Sequence, residues 1–64
     1  MMELRIFDIV ELKERTEISP CFYIDGNTKG IIMETTVPNY YLVKFEDYGA
    51  YWIDGKHLNK INSL

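Results

Sequence analysis

Cysteine is almost missing from this chain: Cys21 is the only one in 64 residues. No intrachain disulfide can form, which excludes a secreted, disulfide-stapled miniprotein and fits a reducing compartment. Histidine is equally scarce, with His57 alone, and no second acid, base or ligand stands at a telling distance from it. A solvated turn position accounts for His57, and a small buried hydrophobe accounts for Cys21. Catalysis needs a constellation of groups, and none of the motifs for nucleophilic, metal-assisted or phosphate-binding chemistry is present. The expectation is a protein that is not an enzyme and holds no metal or cofactor. Asp25-Gly26-Asn27 lacks the alternating oxygen ligands and distant glutamate of a calcium loop, so it reads as a tight turn.

Long apolar runs are also lacking, and none approaches the roughly 20 residues of a membrane-spanning helix. The opening Met1-Met2-Glu3-Leu4-Arg5-Ile6-Phe7-Asp8 carries charges where a signal peptide requires an apolar stretch, so a cytoplasmic location is expected. Nor is there a block of one charge. The formal net charge is −3, and the carboxylates are scattered from Glu3 to Asp54 among lysines and arginines. Without clustered cations to release counterions from a phosphate backbone, nucleic acid is the less favoured partner.

Apolar and aromatic residues are plentiful, at 47% and 14%, with five tyrosines, three phenylalanines and one tryptophan. That content lies well outside the disordered range and predicts one small domain over residues 1–64, with a core that is small because the chain is short. Along the chain, Leu4, Ile6, Val10 and Leu12 follow a period of two, while Ile6, Ile9, Val10 and Lys13 also fit a loose helical stripe. A strand over residues 4–12 is expected, because its centre is β-branched and aromatic and no N-cap residue precedes Leu4. Residues 13–29 turn irregular and predict a long loop whose Phe22, Tyr23 and Ile24 fold back over the core. Gly30 opens a β-branched run to Thr36, Val37-Pro38-Asn39 supplies turn chemistry, and residues 40–45 follow as a second strand. There Tyr41, Val43 and Phe45 share one face while Tyr40, Leu42 and Lys44 share the other. Glu46-Asp47-Tyr48-Gly49 predicts the next turn and Ala50-Tyr51-Trp52-Ile53 the next strand. Asp54-Gly55 reads as a tight turn, open also to a two-residue hairpin turn, and a 3₁₀ turn at Leu58 is expected to feed a short strand at Ile61.

This order of elements resembles a small SH3-like barrel of the kind found in KOW-type modules and in small bacterial and phage proteins. The residues that carry the likeness are Phe7-Asp8-Ile9-Val10-Glu11-Leu12, the long loop, Lys29-Gly30-Ile31-Ile32, Tyr41-Leu42-Val43-Lys44-Phe45 and the ending Leu58-Asn59-Lys60-Ile61. The resemblance implies an all-β, five-stranded antiparallel barrel with a long loop between strands 1 and 2 and a short 3₁₀ turn near the C-terminus. Gly30 has a physical reason of its own, since so small a barrel needs a position free of Cβ where strands bend sharply. The chain departs from peptide-binding SH3 domains in lacking their acidic-aromatic run and paired tryptophans. It departs from basic ribosomal KOW modules in its diluted lysines.

A thin fold cannot bury all these aromatics, so some must reach the surface. Tyr23, Tyr40, Leu42, Tyr48, Tyr51 and Trp52 are the candidate partner-binding residues. Tyr40 with Leu42 is expected to line an outer strip, against the alternative that most of these side chains complete the core. The expected function is a non-enzymatic protein-binding module, such as a small inhibitor, immunity or accessory protein. The competing reading is a KOW-like nucleic-acid-binding module using Lys29, Lys44, Lys56 and Lys60 with stacked tyrosines. Mimicry of a phosphate row by Glu11, Glu14, Glu17, Glu46, Asp47 and Asp54 is weaker than an ordinary solvated surface, because basic residues interrupt the series.

Overall fold

A computed structural model of the chain describes residues 4–61. Period-two patterning has become strand almost throughout: β1 (Ile9–Leu12), β2 (Thr16–Ser19), β3 (Phe22–Ile24), β4 (Lys29–Val37), β5 (Tyr40–Phe45), β6 (Gly49–Asp54) and β7 (Leu58–Ile61). One 3₁₀ turn, Gly55–His57, joins β6 to β7. Five strands form an antiparallel sheet in the order β6-β5-β4-β1-β7, and β2 and β3 form a separate antiparallel pair.

The hairpin expected around Pro38-Asn39 is β4 and β5, with Gly30 opposite Phe45 and Ile32 opposite Val43. Its alternation is as the residues predict: Val43 and Phe45 are wholly buried, Tyr41 is half-buried, and Tyr40 and Lys44 face solvent. Asn39 takes a φ of +67°, a conformation asparagine tolerates in tight turns. Gly30 lies where a Cβ would meet Val43 Cγ1 at 2.5 Å and both the Lys44 carbonyl and Phe45 Cδ1 at 3.0 Å. The tight packing of β4 against its paired neighbour β5 thus depends on the missing side chain.

The core gathers Val10 and Leu12 from β1, Ile24 from β3, Ile32 from β4, Val43 and Phe45 from β5, Ile53 from β6 and Leu58 from β7, with Leu4 beside them. Burying each such side chain contributes about 1.5–3 kcal/mol. Most of the driving force therefore comes from residues brought together from every strand except β2.

Four expectations require correction. Cys21, expected as a small buried hydrophobe, is exposed, because it sits at the turn of a surface hairpin. The first strand begins at Ile9, because residues 5–8 close a turn in which Asp8 N–H donates to the Arg5 carbonyl at 3.0 Å and Arg5 N–H to Asp8 Oδ2 at 2.8 Å. The stretch read as a long loop contains the β2–β3 hairpin, which turns through Cys21 at φ +66°. Its strands are three and four residues long, too short for period two to stand out. Ile24 folds into the core as expected, while Tyr23 stays exposed. The 3₁₀ turn starts at Gly55, three residues before Leu58, because the Asp54 carboxylate caps it by accepting the Lys56 N–H at 3.0 Å. That cap rules out a two-residue hairpin turn at Asp54-Gly55 and leaves Leu58–Ile61 free to pair along the whole of β1.

Candidate partner-binding cleft

Three backbone hydrogen bonds set the geometry of the cleft. Gly55 N–H donates to the Asn39 carbonyl at 2.8 Å, tying the 3₁₀ turn to the start of β5, and Lys13 N–H donates to the His57 carbonyl at 2.8 Å, tying it to the base of the β2–β3 hairpin. Asn27 N–H donates to the Leu12 carbonyl at 2.8 Å and closes the hairpin's far end onto β1. Between hairpin, β5 and 3₁₀ turn lies a hollow of about 280 Å³.

Its walls come from Thr16, Glu17 and Ile18 on β2, from Tyr40 on β5, and from Trp52, Asp54 and His57 on β6 and the turn that follows. Tyr40 stands opposite Asp54 and Leu42 opposite Trp52, so Trp52 is the diagonal neighbour of Tyr40 on the outer side of the hairpin. Aromatic side chains reach one another across such a diagonal. Tyr40 and Trp52 are each 43% exposed, presenting flat apolar area beside the carboxylates of Glu17 and Asp54. Thr16 is held below the rim, its hydroxyl donating to the Glu14 carbonyl at 2.8 Å.

The six residues singled out from the sequence divide into separate groups. Tyr40 and Trp52 meet at this cleft, with the half-buried Leu42 directly across from Trp52. Tyr48 and Tyr51 instead hold the hairpin down. The Tyr51 ring meets Phe22 edge-on at 5.5 Å between centroids, Tyr48 lies 6.3 Å from Phe22, and the Tyr51 hydroxyl donates to the Tyr48 carbonyl at 2.8 Å. Tyr23 lies under the Arg15 guanidinium, 4.5 Å from its ring centroid. Sequence reasoning missed Ile18 and Glu17, which reach the cleft only because the hairpin folds back, and it missed Phe22 as the ring that fastens this fold.

The four lysines of the nucleic-acid reading do not converge. Lys29 and Lys44 rim a second hollow, Lys56 borders the cleft, and Lys60 lies 3.5 Å from the Asp8 carboxylate. Among the described residues no three His, Cys, Asp or Glu side chains gather as a metal site would require, and no helix is long and apolar enough to cross a membrane. In comparisons with known proteins, the chain matches no family model, no curated protein and no solved structure.

Proposed function

We propose that this chain is a non-enzymatic protein-binding module built on a small SH3-like barrel, and that it grips its partner at the cleft between the β2–β3 hairpin and the 3₁₀ turn. The barrel reading is supported by the return of β7 to pair beside β1, by the hairpin excursion after β1, and by the tight packing of β4 on β5 at Gly30. The observation that carries the binding reading is the convergence of two exposed aromatics, Tyr40 and Trp52, on one hollow whose other wall is a separate hairpin. Tyrosine and tryptophan supply much of the affinity at protein interfaces, since each offers a large rigid area and a polar tip for little conformational entropy.

A segment of another protein lying across this hollow would set apolar side chains on Tyr40, Trp52 and Ile18. A basic group on that segment would meet Glu17 and Asp54. Binding of this kind serves an inhibitor or accessory protein, which acts by occupying a surface. The test is affinity capture with the intact chain, followed by the Tyr40→Ala and Trp52→Ala variants. Loss of a specific partner in both, with folding retained, supports the reading. A partner held equally well by the double variant, or no partner at all, refutes it.

A further inference from the structure

Five described residues have positive φ, and three of them are the residues that backbone strain favours: Asn27, Asn39 and Gly49. Phe7, at φ +75°, is not one of these. A bulky aromatic is a true outlier in this region, and here its side chain gains nothing from the fold in return, being 72% exposed. Residues 5–8 nevertheless hold it firmly, through the paired Arg5 and Asp8 hydrogen bonds and through Phe7 N–H, which donates to the Ile32 carbonyl at 2.7 Å. The turn is a rigid mount for an exposed ring, with Ile6 beside it 48% exposed.

Next to that mount lies a hollow of about 410 Å³, mostly apolar, which shares no residue with the cleft. Ile9, Gly30 and Ile31 floor it, and Lys29, Lys44 and Glu46 form its rim. Ile9 pairs with Ile31 in register, and Ile31, adjacent to the Ile32 that anchors Phe7, is 41% exposed. Knob and socket are therefore neighbours on one molecule, the arrangement a twofold axis needs for reciprocal exchange.

We infer that two copies of this chain associate about a twofold axis, each seating its Phe7 ring in the other's hollow over Ile9 and Ile31, between Lys29 and Lys44. Lysine ammonium groups within about 6 Å of a ring centroid are attracted to its face, so the basic rim complements an aromatic occupant. Arg5 on the incoming turn is opposite in charge to Glu46 on the receiving rim. Two aromatic side chains and their sockets bury roughly 600–1,000 Å² in total, below the approximately 1,200 Å² of a standard stable interface, so the dimer is a weak one.

Sedimentation equilibrium across a wide concentration range tests this, with amide chemical shifts followed over the same dilution. The expected result is a reversible dimer at high concentration only, with the concentration-dependent shifts falling on Phe7, Ile9 and Ile31. Phe7→Asn keeps a residue that suits the positive φ. It should abolish the dimer while raising the melting temperature of the dilute monomer, a combination that a merely structural Phe7 would not give. Ile31→Lys, at an exposed position, should abolish the dimer through the socket alone. A wild-type chain that stays monomeric, a dimer unaffected by Phe7→Asn, or shifts centred on Tyr40 and Trp52 would each overturn the inference.

Discussion

Replacing Gly30 with alanine places a methyl group where the structure has no room for it. The new Cβ would lie 2.5 Å from Val43 Cγ1 and 3.0 Å from the Lys44 carbonyl oxygen. Val43 is wholly buried and β-branched, so it has little freedom to rotate away, and the carbonyl belongs to a paired strand. Overpacking of this kind costs about 1–3 kcal/mol, while alanine regains about 0.4–1 kcal/mol by restricting the unfolded chain. The net loss is about 1–2 kcal/mol, a large share of the roughly 3–10 kcal/mol that a chain of this length has in total. For a domain of this size the melting temperature should fall by roughly 5–15 °C. Urea unfolding followed by the fluorescence of Trp52, the single tryptophan, gives the same quantity independently. Gly55→Ala is the matched comparison, because there the Cβ meets mainly the Tyr41 ring, at 2.9 Å, and that ring can swing aside. A Gly30→Ala variant as stable as the parent, or a Gly55→Ala variant that loses more, would show that the β4–β5 packing does not depend on glycine at position 30.

Further expectations concern the cleft and the turns. Tyr40→Ala and Trp52→Ala should each leave the unfolding midpoint within about 1 kcal/mol of the parent, as exposed positions do, while partner capture falls at least tenfold. Asp54→Ala removes the cap of the 3₁₀ turn, so it should cost about 0.5–2 kcal/mol by thermal unfolding and weaken capture by loosening His57 and Lys56 at the cleft rim. Asp8→Asn keeps an acceptor for Arg5 N–H and loses only the partly exposed ion pair with Lys60. Its cost should be under about 1 kcal/mol and should shrink further in high salt, whereas Asp8→Ala should cost more at every salt concentration.

Legibility from sequence followed the length of each pattern. Six alternating residues in β5 were enough to assign both faces of the strand, and Gly30 stood out because a β-branched run begins behind it. In β2 and β3 the period is too brief to register, so the hairpin read as a loop even though Ile24 was expected at the core. Within the candidate site, Tyr40 and Leu42 could be found because parity pointed them away from the core, and Trp52 because so thin a fold cannot bury every aromatic. Glu17 and Ile18 could not, because nothing local says where a hairpin will land.

Composition and periodicity alone determined an all-β chain, its central hairpin and the inward set Tyr41, Val43 and Phe45. These are properties of single residues or of neighbours two apart, which strand geometry dictates without reference to the rest of the molecule. Tertiary structure decided what depends on distant partners: the placing of β1 between β4 and β7, the fastening of Phe22 to Tyr51, and the cleft that results. It also decided the fate of Phe7. In the sequence that residue continues a strand, but two hydrogen bonds between Arg5 and Asp8 and one to Ile32 turn the backbone and leave the ring facing outward.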